Sequence, residues 1–330
     1  EAIGHIEWAQ SADAVLIAPA TANVIGKMAA GIADDALTTI LLAVTAPVLL
    51  CPAMNSQMYQ HPAVTRNLQT LRHDGIVILP SDAGELACGT VGPGRLPDPG
   101  RIVEKLAICV ADKDLSGKTV LVTAGPTREM IDPVRYISNP STGKMGFAIA
   151  RAAAQRGANV ILVAGPVHLA DPVDVEVVRV QSAQQMAEAV LTRFDHSDIV
   201  IKAAAVSDYR PVDSEPHKRK KSDASLTLPM VRTMDILKTL GERKQGQVLV
   251  GFAAETRSLK ANATAKLKEK RLDLIVANNV ATESAGFGTD NNTVTLFYKA
   301  GRQESLPSMP IADLAHLLID RIAALEPEIK

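Results

Sequence analysis

Asn139-Pro140-Ser141-Thr142-Gly143-Lys144-Met145-Gly146 sets two hydroxyls, two glycines and an ammonium ahead of a helix-period stretch, Phe147 to Arg156. Unpaired N–H groups at a helix start favour an anion, most often phosphate. The same residues also make an ordinary capped helix after a proline turn. Ala203-Ala204-Ala205-Val206-Ser207-Asp208-Tyr209 follows an aliphatic run and puts small residues where a backbone approaches a ligand, with Asp208 at the mouth; simple alanine packing accounts for it too. Lys218-Arg219-Lys220-Lys221 is a run of four cations that reads first as a solvated face. Lys266 and Lys270, four apart on a predicted helix, would repel one another unless an anion lay between them, and a triphosphate carries enough charge.

The amino-terminal third offers different chemistry. Pro19-Ala20-Thr21-Ala22-Asn23 presents small and hydroxyl side chains at the end of a strand, fit for a phosphate, a flat ring, or a plain turn and N-cap. Asn55, in Pro52-Ala53-Met54-Asn55, both donates and accepts hydrogen bonds, which suits a carboxylate or an amide. Cys88 stands among the four glycines of Gly84 to Arg95, which predicts a mobile, exposed lid with a reactive thiol, unlike Cys51 in its apolar run. His5, near the start of a helix, is a candidate acid–base group, yet a lone histidine is more often a surface residue. Phe252, in Gly251-Phe252-Ala253-Ala254-Glu255-Thr256, either fills core or stacks on a planar ring, and Gly286 to Asn292 reads as a hairpin turn.

These residues sit at the ends of short aliphatic runs that alternate with alanine-rich, helix-period stretches. The runs are Ala14–Ala18, Val48–Cys51, Ile76–Leu79, Thr119–Thr123, Asn159–Val163, Asp198–Ile201, Gln247–Val250, Asp273–Val276 and Thr293–Phe297. Strands apolar along their whole length are covered on both faces by helices, so the class is parallel α/β. The polar stretch Asp112 to Lys118 places a domain boundary near Lys113, giving residues 1–113 and 114–330. With 330 residues there is room for two cores, and 35 Lys plus Arg against 36 Asp plus Glu gives no reason to expect a nucleic-acid partner. No apolar run approaches the roughly 18 residues of a membrane span. Cys51, Cys88 and Cys109 are far apart with no CxxC pair, which excludes a disulfide scaffold and suits a reducing cytoplasm. The first domain shows only three clear strands, so its opening strand–turn–helix unit is expected upstream of Glu1.

Taken together, Pro52-Ala53-Met54-Asn55, Ala87-Cys88-Gly89 with Gly92-Pro93-Gly94-Arg95, Ala124-Gly125-Pro126-Thr127-Arg128-Glu129, Asp132-Pro133-Val134-Arg135-Tyr136-Ile137-Ser138-Asn139 and Gly251 to Thr256 resemble the signatures of one family, in its order. It is the bifunctional phosphopantothenoylcysteine decarboxylase/phosphopantothenate–cysteine ligase of bacterial coenzyme A biosynthesis. The resemblance implies a flavoprotein-like doubly wound sheet, N-terminally incomplete by roughly 70 residues, followed by a Rossmann-like ligase domain. It implies that the second domain activates 4′-phosphopantothenate with CTP and Mg2+ and couples it to cysteine. On the matching positions Asn139 would hold the acyl carbonyl, and Lys218, Lys266 and Lys270 would neutralise the triphosphate. Lys202, Ala203, Ala204, Asp208, Thr233, Met234, Asp235, Ile236 and Phe252 would line the nucleotide site. Thr233-Met234-Asp235-Ile236 departs from the family's Asn-Pro-Asp-Ile in its first two side chains.

For the first domain the resemblance implies FMN-dependent decarboxylation. His5 would be the base or orienting group, Asn55 would bind the substrate carboxylate, and Cys88 would donate the last proton. Ala18, Thr21 and Thr38 would touch FMN. A homo-oligomer with dimeric ligase and trimeric decarboxylase contacts is implied as well. Three other readings are a ligase alone, if the chain truly starts at Glu1; a nucleotide-binding scaffold without chemistry; and a short-chain NAD(P)-dependent oxidoreductase, against which the lack of GxGxxG after Thr119–Thr123 counts.

Overall fold

Short polar side chains start the helices of the first unit, Glu1–Asp112, and apolar runs supply its strands. Its elements are α1 (Gly4–Ser11), β1 (Val15–Ala20), α2 (Ala22–Ala30), α3 (Ala36–Ala43), β2 (Val48–Pro52), α4 (Ser56–Gln60), α5 (Pro62–His73), β3 (Val77–Ile78), β4 (Asp82–Glu85), β5 (Val91–Arg95) and α6 (Pro99–Val110). The computed structural model describes residues 4–86, 89–218, 220, 227–255, 259–279 and 289–325.

Strands β1, β2 and β3 form a parallel sheet in that order. β2 is buried along its whole length. Val48 and Leu50 face Ile25, Val64, Leu68 and Leu71 of α2 and α5, while Leu49 and Cys51 face Ile102 of α6. That two-sided cover is why its sequence is apolar throughout. On either side of the segment expected to form the Cys88 lid, β4 and β5 pair antiparallel, with Glu85 opposite Val91. Gly94, at φ +124°, lets the hairpin lie against the chain before α4, where a Cβ would stand 2.1 Å from the Met54 carbonyl oxygen. Cys88 itself lies outside the described residues.

The second unit, Lys113–Lys330, contains β6 (Thr119–Ala124), β7 (Arg128–Met130), β8 (Tyr136–Ser138), α7 (Lys144–Gln155), β9 (Asn159–Ala164), β10 (Val175–Arg179), α8 (Ala183–Leu191), β11 (Ile199–Lys202), β12 (Tyr209–Pro211) and β13 (Met230–Arg232). Then come α9 (Ile236–Arg243), β14 (Val248–Glu255), α10 (Leu259–Glu269), β15 (Leu274–Asn279), β16 (Asn291–Tyr298), β17 (Gln303–Pro310) and α11 (Ile311–Ala323). Eight strands form one sheet in the order β10-β9-β6-β11-β14-β15-β16-β17. Val120, Val122, Leu162, Ile201 and Val250 turn to α7 and α11, whereas Leu121, Val163, Val200 and Leu249 turn to α8, α9 and α10. A strand alternates its faces, so two helical layers need two apolar faces.

The sheet is parallel from β10 to β15, but β16 and β17 run antiparallel. Only four residues separate Tyr298 from Gln303, too few for the crossover that parallel pairing needs. β10 and β17 do not stand out in the sequence because they are edges. Glu176 and Arg179 interrupt one, and Pro307 and Pro310 sit in the other, where a missing N–H costs no ladder bond. Gly286, Phe287 and Gly288, the first three residues of the expected hairpin turn, lie outside the described residues.

Candidate active site

In the first unit the expected polar side chains mostly serve as helix caps. Thr21 Oγ1 accepts from Val24 N at 3.3 Å and starts α2. Thr38 is buried, and Asp35 Oδ1 takes both its N–H, at 2.8 Å, and its hydroxyl, at 2.9 Å, to start α3. The Lys27 ammonium, then the Thr38 amide, hold the Asp35 carboxyl down at about 2. Asn55 Oδ1 accepts from Gln57 N at 2.9 Å and starts α4. His5 is half-buried on α1.

The carboxyl ends of β1 and β2 are tied by Ala53 N–H to the Ala20 carbonyl at 3.0 Å, and Met54 N–H reaches the Gly94 carbonyl at 2.9 Å. Around this junction lies a cavity of about 400 Å³ lined by Met54, Asn55, Glu85, Leu86, Gly94 and Arg95 among others. Ala18 and Pro19 are exposed at the strand end and form a ledge of small side chains beside Thr21. Burial pushes the Cys51 thiol up, and nearby Cys109 adds to it, so Cys51 is an inert core residue.

In the second unit the strand-end loops bond to one another. β6 and β11 are neighbours, and the chain leaves β6 for β9 on one side while β11 adjoins β14 on the other. Such a reversal opens a crevice at the carboxyl ends of the strands. Ala204 N–H donates to Thr123 Oγ1 at 3.1 Å, Ala205 N–H to the Gly125 carbonyl at 2.9 Å, and Ser207 N–H to Thr127 Oγ1 at 3.1 Å. Asn139 joins them, its Nδ2 donating to the Ala205 carbonyl at 3.0 Å. Thr233 N–H donates to the Asp208 carbonyl at 3.0 Å and its hydroxyl to the Ser207 carbonyl at 2.6 Å. Two residues on, Asp235 caps α9 by accepting from Lys238 N at 3.1 Å and pairs with Lys270 Nζ at 2.8 Å. Burial would raise the Asp235 carboxyl, but Lys270 and the Lys238 amide outweigh it and hold it below the usual range.

Lys202 ends β11 on the side of the sheet covered by α8–α10, since Val200 faces that layer and Ile201 the other. Burial pushes its ammonium down to about 8, with Lys270 adding to the shift and Asp235 and Asp208 opposing it. Thus Asn139, Lys202 to Ala204, Asp208, Thr233 to Ile236 and Lys270 meet at one end of the sheet.

Three expected residues stand differently. α10 ends at Glu269, so Lys270 lies just past the helix, its N–H still bonded to the Lys266 carbonyl at 3.0 Å. Lys218 is exposed, and no contact among the described residues ties it to the Lys202–Asp235–Lys270 group. Phe252 packs with the α7–α11 core, on the face of the sheet opposite Lys202.

Two buried carboxylates were not singled out by the sequence. Asp132 accepts from Val134 N at 2.8 Å and Arg135 N at 2.9 Å while pairing with the Arg135 guanidinium. Glu129 accepts from Ala183 N at 2.9 Å at the start of α8, where the helix dipole favours a negative charge. The Asp-Pro-Val-Arg spacing was the one available signal for the first. Among the described residues no group of three or more His, Cys, Asp or Glu gathers to hold a metal, and no helix is long and apolar enough to cross a membrane.

A doubly wound α/β unit with a polar crevice at a strand reversal is a ligand-binding class shared by many enzymes, and comparison with known proteins narrows it. A flavoprotein family model matches residues 1–110, and the model of the DNA/pantothenate metabolism flavoprotein C-terminal domain matches residues 115–325. The coenzyme A biosynthesis bifunctional protein CoaBC of Bacillus subtilis (strain 168) is 54% identical over 330 residues, covering 99% of this chain and 81% of that protein. The protein of the same name from Escherichia coli (strain K12) is 46% identical over 97% of this chain and 80% of its own length. A crystal structure of the C-terminal domain of a CoaBC protein superposes with a TM-score of 0.56 at 45% identity, covering 64% of this chain and 97% of that domain. The chain belongs to the family of bifunctional coenzyme A biosynthesis enzymes that combine phosphopantothenate–cysteine ligase and phosphopantothenoylcysteine decarboxylase activities.

Proposed function

We propose that the unit beginning at Lys113 activates the carboxylate of 4′-phosphopantothenate with CTP, releasing pyrophosphate, and that the amine of cysteine then displaces CMP from the acyl-cytidylate. The carrying observation is the hydrogen-bonded run from Asn139 through Ala205, Ser207, Asp208 and Thr233 to the Asp235–Lys270 pair, beside Lys202. Asn139 keeps its amide oriented through Ala205, which suits a group that steadies a reacting acyl carbonyl. Lys202 and Lys270 offer positive charge to the triphosphate, and Lys218 and Lys266 take the same role on family resemblance alone. Thr233 and Met234 replace the family's first two residues, yet backbone and the Asp235 cap remain to shape the nucleotide edge. Mg2+, implied by the resemblance, would supply further charge neutralisation for the triphosphate.

The preceding unit then decarboxylates 4′-phosphopantothenoylcysteine to 4′-phosphopantetheine. The ledge of Ala18, Pro19 and Thr21 fits a planar ring and a phosphate, because its side chains are small and the Thr21 hydroxyl proton stays available while its oxygen caps α2. FMN, when bound there, supplies the two-electron oxidation of the substrate thiol and its return. Thr38, which the resemblance also sets against FMN, is buried and bonded to Asp35. Asn55 holds the substrate carboxylate at the cavity, His5 draws or orients the proton, and Cys88 returns one at the end. Because the full-chain relatives match both halves, two activities are favoured over a ligase alone. We place the enzyme in the cytoplasm as a homo-oligomer, dimeric through the ligase unit and trimeric through the decarboxylase unit.

Mixing the protein with CTP, phosphopantothenate and cysteine tests the reading. Pyrophosphate and CMP should appear together with the amide product. Tight NADPH binding without CTP binding would point to an oxidoreductase, and nucleotide binding with no pyrophosphate release would point to a scaffold.

A further inference from the structure

Glu129 is a buried carboxylate that the proposed chemistry leaves unused. It is 3% exposed, and β7 alternates so that Arg128 and Met130 point away from the side on which it lies. Among the described residues no cation pairs with it, and its carboxylate takes one hydrogen bond, from Ala183 N–H to Oε1 at 2.9 Å. A charge kept from water on so few partners costs stability. Nor is that bond needed to start α8. Ser182 Oγ accepts from Gln185 N at 3.2 Å and Gln185 Oε1 accepts from Ser182 N at 3.2 Å, a reciprocal cap complete within four residues. What Glu129 adds is a link between parts of the chain 54 residues apart. Arg128 N–H donates to the Gln181 carbonyl at 2.8 Å beside it, so two bonds tie β7 to the turn between β10 and α8.

The hairpin that β7 forms with β8 leads straight into Asn139. Glu129 stands opposite Ile137 and Arg128 opposite Ser138, whose hydroxyl donates to the Thr127 carbonyl at 2.7 Å. Asn139 is the next residue. On its other side the hairpin meets the loop beyond β11, where Thr127 N–H and Asn139 Nδ2 both donate to the Ala205 carbonyl, at 3.2 Å and 3.0 Å. The hairpin is therefore held between α8 and that loop, and the Glu129 carboxylate is its side-chain anchor on the α8 side.

We propose that Glu129 is a positioning residue for Asn139: its bond to Ala183 fixes the β7–β8 hairpin against α8, and with it the amide that rests on the Ala205 carbonyl. This rests on the role given above to Asn139 at the acyl carbonyl and adds to it the residue that holds it there. Displacing a reacting-centre group by about 1 Å costs on the order of 10²-fold in rate. Because the acyl carbonyl gains charge only as it reacts, the loss falls on kcat and not on KM.

The test is steady-state pyrophosphate release by the full chain with CTP, phosphopantothenate and cysteine, with a thermal scan of each variant. Glu129→Met, close in size but without an acceptor for the Ala183 N–H, should lower kcat about 10- to 100-fold and leave the KM for CTP within about twofold. Glu129→Gln, which keeps an acceptor oxygen, should return kcat to within about threefold of the wild type. Ala183→Pro removes the same bond from the other side, at the first helical position, where proline is tolerated, and should reproduce the Glu129→Met loss. In an Asn139→Ala background Glu129→Met should cost no more than about twofold further, since the group it positions is gone. Ser182→Ala, which loosens α8 but spares the link, should lower the melting temperature with kcat unchanged. Unchanged kcat in Glu129→Met or in Ala183→Pro, a loss that falls on KM, an undiminished loss in the Asn139→Ala background, or an equal loss in Ser182→Ala would overturn the positioning role and leave the ligase reading standing. No pyrophosphate release by the wild-type chain would remove the ligase reading itself.

Discussion

Strand-end side chains are used differently in the two units. In residues 1–112, Thr21, Thr38 and Asn55 direct oxygen atoms back onto their own helices. In residues 113–330, the corresponding loops bond to each other, through Ala204, Ala205, Ser207 and Thr233, and leave functional groups over. Asn139 spends one of its two amide N–H groups on Ala205, and the other meets no acceptor among the described residues. Residue type alone therefore does not tell a cap from a ligand group. What separates them is whether the backbone has already met its own needs, because an orphan N–H at a helix start competes with any ligand for the same oxygen.

Substitutions at the two ends of this contrast should behave in opposite ways. Asn139→Asp should lower ligase turnover by on the order of 10²–10³, the usual loss when a polarising donor is removed, while the melting temperature stays near the wild-type value. Steady-state pyrophosphate release together with a thermal scan checks both halves, and unchanged turnover would remove the role assigned to this amide. Gly241→Ala should cost about 2–3 kcal/mol, since a methyl group meets backbone rather than a movable side chain. Urea unfolding measures it, and a smaller loss would show that α9 slides easily over the end of α10.

Thr21→Ala should cost about 1 kcal/mol through loss of the α2 cap. If it weakened flavin retention with no change in unfolding midpoint, the distinction between capping and binding units would fail. The smallest effect concerns acid. Asp35 has a folded-state carboxyl held down at about 2, so its contribution is complete above the unfolded value near 4 and fades as pH falls from there toward 2. Asp35→Asn should flatten that part of the stability curve by lowering stability more at neutral pH than in acid, which chemical denaturation at pH 3 and pH 7 resolves.

Much of the fold is legible in the residues themselves. Val48-Leu-Leu-Cys51 and Thr119-Val-Leu-Val-Thr123 are apolar at every step, and the structure shows why: each is covered on both faces. β10 and β17 escape that rule because an edge strand buries only part of its surface and tolerates charge or proline. The hairpin of β4 and β5 escapes for another reason, since glycine-rich sequence signals freedom but cannot show the Met54 carbonyl that uses it.

At the site, the motifs around Asn139, Ala203 and Asp235 announce themselves, whereas Glu129 and Asp132 are visible only after Ala183 and Arg135 arrive beside them. Lys218 and Lys270 look alike in sequence as cations in polar surroundings. Only the packing of α9 against the end of α10 gives one of them a carboxylate partner and leaves the other on the surface.

Lys202 and Phe252 lie on adjoining strands yet on opposite sides of the sheet. A molecule that touches both must bend over the rim, its ring and its phosphates parted by the edge of the backbone. On the nucleotide reading proposed above, with the ring at Phe252, inorganic triphosphate and free cytidine would occupy separate halves, and each would compete with the intact nucleotide without excluding the other.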